Sequence, residues 1–297
     1  MKSTELGEKY QTRFLVKDKR FNTAVLSQYH LSIYINDVYV KICCVNAVTK
    51  RCLLFEEYRL VHACTHQRIQ AIEQLYRDHS ILSAKGWATA TLCISNQKYT
   101  VIPQALFQEK TSADYLSFTC PVGSDASRHF THSALNATVV FAIDAPLLDW
   151  FKSTYKHTKL HVIHQASCLI QGIWHYLQDK GLSKSPKVIV FIEPNNLHVT
   201  VMKKGGLTYY NRFAYTDCDE LLYYILIVMR TLKLDAGLHE VILVGDIHKR
   251  SPAYKKASDY IRRLTFMQTP PHIRFGRAFS KKMRSIYLDI LSAHLCH

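Results

Sequence analysis

This 297-residue sequence predicts a mixed α/β protein of two similarly built lobes. Residues 30–60 and 187–213 each read as three consecutive antiparallel strands joined by tight turns. Each trio is followed by alternating helix and strand signals, an order that yields a mixed sheet with helices packed on it. With 48% hydrophobic and 21% charged residues, the chain can bury a core and is neither disordered nor collagen-like.

Residues 1–20 are polar and predict a frayed start. Leu31, Ile33 and Ile35 alternate with polar neighbours, Asn36 and Asp37 make a turn, and Val38, Val40 and Ile42 carry the return strand. A turn at 49–51 leads into Leu53, Leu54 and Phe55. A helix follows, with Thr65 as N-cap and Ile69, Ile72, Leu75 and Tyr76 on one face. Residues 88–94 predict a strand, 97–102 its short hairpin return, and Pro103 a brief helix. The stretch 110–135, including Pro121-Val122-Gly123-Ser124, reads as irregular; 136–143 returns to strand and 146–155 to helix. An amphipathic helix over 164–180, stopped at Gly181, links the halves. In the second half, strands fall at 187–192, 197–202 and 207–213, with turns at 193–196 and 203–206. Asp217 and Glu220 form a capping box for a helix over 221–232 that is apolar almost all round and therefore buried. A strand at 239–244, a helix at 252–264, a strand at 272–275 and a last helix at 281–295 complete the order. The lobes are placed at 21–160 and 161–297, with no residue-level identity between them, and a cleft between them is where a ligand would sit.

The nine cysteines are odd in number, never spaced C-x-x-C, and mostly set in apolar runs, which fits free thiols used as small core residues. The first twenty residues lack an apolar signal-peptide core, and the longest apolar run, 221–229, is half of what a membrane crossing needs. No membrane span and a cytoplasmic setting are expected. Among the sixteen histidines, His157, His161 and His164 straddle a strand-to-helix junction, and His62 with His66 has no carboxylate beside it. No metal site is expected. No nucleophile elbow, P-loop or G-x-G-x-x-G run occurs.

The duplicated unit, a three-strand meander followed by helix-strand-helix, resembles the actin-like ATPase superfold, in which each lobe is ribonuclease H-like. Four segments are similar to an uncharacterised bacterial family, the domain-of-unknown-function 3822 group: Leu31-Ser32-Ile33-Tyr34-Ile35, Asn211-Arg212-Phe213, Leu221-Leu222-Tyr223-Tyr224-Ile225-Leu226 and Glu240-Val241-Ile242-Leu243-Val244-Gly245-Asp246. The resemblance covers roughly residues 21 to 297. It implies the fold, and distant kinship with actin-like components of pilus assembly and type II secretion, but no activity. It also implies where a nucleotide would bind: an Asp-x-Gly turn after the first strand of each lobe, and a glycine-rich turn near the adenosine. Here the first turn, Asn36-Asp37, has no glycine. In the second, Glu193-Pro194-Asn195-Asn196, Pro194 lacks an N–H, although Glu193 has the chemistry to serve a metal. Only Gly245 and Asp246 occupy the third place. ATP with magnesium is therefore not expected as a cofactor, and the first strands lack the paired carboxylates a nuclease needs.

Charge is uneven: residues 1–150 carry +3 and 151–297 carry +12. Between Lys249 and Arg284 eleven basic residues face one acid, Asp259. If 252–264 is one helix, Lys255 aligns with Arg262 and Lys256 with Arg263 on its outer face. Lys249 and Arg250 precede the cap Ser251, and Lys281, Lys282 and Arg284 follow the cap Ser280, so both helix starts are candidates for an anion. The bland alternative for these residues is a solvated face with weak ion pairs. The leading functional expectation is a non-catalytic binding or scaffold protein with a degenerate nucleotide site, whose strip meets an acidic protein surface. The alternatives are an RNA-associated protein using the strip for phosphates, and an atypical ATP-binding protein.

Overall fold

The computed structural model describes residues 9–62, 64–121, 123, 125–181, 185–204 and 206–297. Residues 1–8, Val122 and Ser124 of the irregular stretch, and Gly205 of the 203–206 turn lie outside the described residues. The first half contains β1 (Tyr10–Lys17), β2 (Tyr29–Ile35), β3 (Tyr39–Asn46), β4 (Arg51–Leu60), α1 (Thr65–Asp78), β5 (Thr89–Ile94), β6 (Tyr99–Pro103), α2 (Ser112–Ser117), β7 (Ala126–His132), β8 (Ala137–Ile143), α3 (Ala145–Thr154) and β9 (Leu160–His164). The second contains α4 (Gln165–Asp179), β10 (Lys187–Glu193), β11 (Asn196–Lys203), β12 (Gly206–Ala214), α5 (Cys218–Thr231), β13 (Val241–Gly245), α6 (Pro252–Tyr260), β14 (Leu264–Phe266), β15 (Arg274–Phe275), α7 (Lys281–Ile286) and α8 (Leu288–Ser292).

Both large sheets are assembled alike. In the first, the antiparallel meander β4-β3-β2 is continued by β5 and β9, each parallel to its neighbour; in the second, β12-β11-β10 is continued by parallel β13 and β14. The strand order in each unit is thus 3-2-1-4-5. Each sheet is covered on both faces. Leu31, Ile33 and Ile42 pack against α1 and α3, while Tyr34, Cys43 and Phe55 on the opposite face meet Met283, Ile290 and Leu291 from the C-terminal helices. Ile189 and Phe191 face α4, whereas Val188 and Val190 face α5. Helices α4 and α8 therefore lie side by side between the two sheets. Their close approach requires Gly172, where a Cβ would overlap the Ser292 hydroxyl. A third, small antiparallel sheet, β6-β8-β7, is inserted between β5 and β9.

Several sequence expectations are corrected, each for a physical reason. Residues 10–17 are not frayed; they form β1, antiparallel to β4, and their polarity reflects a solvent-facing edge strand. Residues 99–103 do not return on β5 but pair with β8, because apolar alternation identifies a strand without identifying its partner. The irregular stretch contains β7, a strand half exposed along nearly its whole length and so without a periodic signal. Helix α1 begins at Thr65, with Cys64 in the capping position and no side-chain cap. Helix α6 ends at Tyr260, since 264–266 is drawn into the second sheet beside β13. The strand at 272–275 shrinks to β15 and joins β4 of the first sheet. The last helix breaks at Tyr287, whose ψ of 32° interrupts α7 before α8.

The C-terminal segment docks among histidines. His294 lies between His30 of β2 (ring centroids 6.4 Å) and His272 (5.6 Å); His297 approaches His161 (6.3 Å) and His175 of α4 approaches His272 (6.0 Å). The other polar groups facing them are Thr89, Ser292, Lys50 and Lys159. Nε2 of His30 is buried without a hydrogen-bond partner among the described residues. Burial, reinforced by the neighbouring imidazoles and Lys50, lowers His30 to about 3 and His294 to about 4. These folded values lie below the unfolded value near 6.5, so the unfolded chain binds more protons below that pH. Stability is then intact above pH 6.5 and is lost as pH falls toward 4, by about 1.4 kcal/mol per pH unit for each such histidine. Thermal denaturation between pH 4 and 8 should show this decline, and the His294→Phe variant should show a shallower one.

Candidate functional site

The ends of the parallel strands of both sheets open into one cleft of about 1130 Å³. Asn36 and Asp37 after β2, Ser95 to Lys98 after β5, Glu193 to Asn196 after β10, and Asp246 after β13 form its walls. Lys282 and Tyr287 enter from the C-terminal helices. A strand-end crevice where the chain departs to either side is where open α/β sheets bind ligands.

Its floor is a buried polar network that crosses from one sheet to the other. Lys41 of β3, 8% exposed, places Nζ 3.3 Å from Asp289 Oδ2 of α8, whose side chain is fully buried. Gln165, the first residue of α4, donates from Nε2 to both Asp289 Oδ2 and Glu193 Oε1 (3.0 Å each), and its Oε1 accepts from Ser95 Oγ (2.7 Å). Glu193 Oε2 accepts from His198 Nε2 (3.0 Å), and His198 Nδ1 accepts from the Tyr210 hydroxyl (2.8 Å), which fixes a neutral imidazole protonated at Nε2. Burial lowers the His198 pKa and keeps it neutral. Burial also pushes Glu193 up, but the His198 hydrogen bond and the charges of Lys41 and Arg212 outweigh it and hold the carboxyl at about 2. Burial opposes the Lys41 charge, and Asp289, Glu193 and Glu57 more than offset it, raising its pKa. The Lys41 ammonium also lies 4.1 Å from the Tyr34 ring centroid.

The turns in the walls are self-contained. Asn36 Oδ1 accepts from the N–H groups of Val38 (2.8 Å) and Tyr39 (2.6 Å), and Asp37 is paired with Arg68. At the second turn Asn195, in the left-handed region at φ 63°, accepts the Tyr215 N–H through its carbonyl (3.0 Å), and the Tyr215 hydroxyl bonds Glu193 O (2.8 Å). Gly245 is required by packing: at φ 104° its Cβ would overlap the Ile192 carbonyl, and the Asp246 N–H donates to that same oxygen (2.8 Å). Of that pair, only the Asp246 side of the turn lines the cleft.

Comparisons with known proteins agree with this geometry. The family described as "Protein of unknown function (DUF3822)" matches residues 18–264. The chain belongs to that family. Among solved structures it is similar to a Bacteroides thetaiotaomicron protein described as having an actin-like ATPase fold and unknown function, with TM-score 0.75, 17% identity, and 93% of this chain and 99% of that one covered. It is also similar to a chain of the PilM–PilN type IV pilus biogenesis complex, with TM-score 0.60, 9% identity, and coverage of 90% and 97%. No curated protein sequence matches it. This DUF3822 protein therefore has the actin-like ATPase fold, two ribonuclease H-like units facing a cleft.

The basic residues of 249–284 are distributed over α6, β15, α7 and the segments between them. Ser251 caps α6 by accepting the Tyr254 N–H (3.3 Å), and Ser280 caps α7 by accepting that of Met283 (3.3 Å). Lys256 pairs with Asp219, Arg263 donates to Leu238 O (3.2 Å), and Arg284 donates to Phe279 O while lying over the Phe275 ring. Arg262 and Arg263 follow the end of α6, so the expected alignment with Lys255 and Lys256 is not formed. Lys249, Arg250, Lys255, Arg262 and Lys281 are exposed, and Lys282 belongs to the cleft instead. Among the described residues no group of three or more His, Cys, Asp or Glu side chains is arranged to hold a metal ion.

Sequence reasoning missed Lys41, Gln165, His198, Arg212 and Asp289, and named Glu193 only as a metal candidate. A signal existed: Lys41 and Asp289 are single charges inside apolar runs, Val40 to Ile42 and Leu288 to Leu291, and a charge at a core position calls for a partner. The pairing itself, across 248 residues, needed the fold. Lys41→Met in this DUF3822 protein leaves Asp289 buried without its counter-ion and should cost about 3–5 kcal/mol in urea unfolding. Adding Asp289→Leu should recover most of that loss.

Proposed function

We propose that this protein is a non-catalytic, actin-like scaffold that binds a protein partner and whose nucleotide site has degenerated. The observation that carries the reading is the state of the two turns where phosphates would be cradled. Phosphate binding needs free, convergent backbone N–H groups. The Val38 and Tyr39 N–H groups are spent on Asn36, Pro194 has none, and Gly245 is filled against Ile192. The carboxylates that could position a metal are likewise engaged, Asp37 by Arg68 and Glu193 by Gln165 and His198. The pilus-assembly relative is named for its complex with a second protein, which supports a protein partner here as well. Nine free thiols suit a reducing, cytoplasmic setting, and no helix among the described residues is long and apolar enough to cross a membrane.

The RNA reading keeps the exposed Lys249, Arg250, Lys255, Arg262 and Lys281 as its contact residues. One thermal-shift series separates the readings. ATP or ADP with magnesium should leave Tm unchanged. A ligand at a hundred times its Kd would add about 2.7 kcal/mol, so a shift with nucleotide but not with phosphate overturns the scaffold reading in favour of ATP binding. A short RNA that stabilises the protein, with an affinity falling steeply as salt rises, would favour the RNA reading.

A further inference from the structure

A second concavity of about 530 Å³ adjoins the cleft, sharing Gln97, Asn196 and Arg212 with it, and extends between the inserted sheet and the second large sheet. Its walls include three consecutive residues of β6, Tyr99 to Val101, and five consecutive residues of β12, Tyr210 to Ala214. A sheet face presents alternate residues; consecutive ones mean that strand edges border the space. Both strands are outermost in their sheets: β6 pairs only with β8, and β12 only with β11, among the described residues.

The ladder parity shows which backbone groups are open. The Ala142 N–H donates to Lys98 O and the Gln104 N–H to Asn136 O (2.9 Å each), so even-numbered residues of β6 bond β8, and Tyr99 and Val101 direct N–H and C=O to the open edge. On the other side, the Tyr215 N–H donates to Asn195 O, so odd-numbered residues of β12 bond β11, and Tyr210, Arg212 and Ala214 face outward. The Arg212 N–H is already accepted by Asn211 Oδ1 (2.9 Å). One further observation points to the ligand's charge. Arg212 is the one charged side chain in the walls, and no carboxylate lines them.

We propose that this slot takes an extended, acidic peptide segment of a partner protein by strand addition to β6 and β12. Strand addition satisfies open backbone edges with main-chain bonds and reads alternate side chains in flanking pockets. Here Tyr99, Tyr210, Phe213 and Tyr224 supply the aromatic walls, and Arg212 selects for an acidic residue. The inference rests on the scaffold reading and names the chemistry of its partner.

The test is a display library of random nine-residue peptides panned on the full chain, with synthetic copies of enriched sequences measured by fluorescence anisotropy. Enrichment of alternating apolar sequences carrying Asp or Glu is expected, with about tenfold weaker binding when that acid becomes Gln. Because the slot has two edges, N-methylation of either alternate set of peptide nitrogens should weaken binding about tenfold, a readout that leaves the protein untouched. Val101→Pro and Ala214→Pro, which remove outward N–H groups without a ladder bond, should do the same while Tm holds. No enrichment, or enriched peptides indifferent to N-methylation and to both prolines, overturns the slot. Indifferent binders would leave the scaffold reading standing with another surface, whereas nucleotide binding in the thermal-shift series would remove that reading whatever the peptides do.

Discussion

The ion pair between Lys41 and Asp289 constrains the rest of the molecule. Two opposite charges in a nearly water-free setting hold only if their remaining hydrogen-bonding capacity is met and their position is fixed. Gln165 meets part of that demand and extends the network to Glu193, so β3, β10, α4 and α8 must converge at one point. That convergence places the two inner helices between the sheets, and Gly172 lets them come close enough to do so. The cleft lies above it, its floor already neutralised by the protein's own groups, with Asp289 Oδ1 left without a hydrogen-bond partner among the described residues.

The chemistry of the cleft and that of the edge slot differ in kind. In the cleft, donors and acceptors point at one another: Asn36 closes its own turn, Arg68 holds Asp37, and His198 with Gln165 holds Glu193. In the slot, backbone groups of β6 and β12 point outward without a ladder partner. Polar groups that satisfy each other stabilise a fold, whereas groups left open are available for recognition. Arg212 stands between the two regions, its Nε on Asn196 and Nη1 on the Asn96 carbonyl.

Much of the architecture was legible because tight turns punctuate the apolar segments of both meanders, and because helices such as α5 and α6 announce themselves with Asp217 and Ser251 as caps. What was not legible failed where local pattern and tertiary environment part. β1 is exposed along most of its length and β7 is half-buried on both faces, so neither carries a period; β6 has the right pattern but pairs with the distant β8 rather than with its neighbour in sequence. Helix α6 was read too long because Ile261 and Leu264 continue its apolar stripe, while pairing of 264–266 with β13 draws the chain into the sheet. The site was less legible than the fold. Its members are single polar residues scattered over β3, α4, β10, β11 and α8, and none has a motif of its own.

The placement of the C-terminal segment bears on how the chain acquires its structure during synthesis. The face of the first sheet bearing Tyr34, Cys43 and Phe55 is covered by Ile273, Phe279, Met283, Ile290 and Leu291. The strand nearest the end of the chain, β15, joins β4 from the first quarter. The first sheet is made before the second but stays uncovered on that face until residues 273–291 have emerged. Such long-range closure slows folding and leaves apolar strand surface exposed in the interval. The first sheet, although translated before the second, is therefore completed only after it.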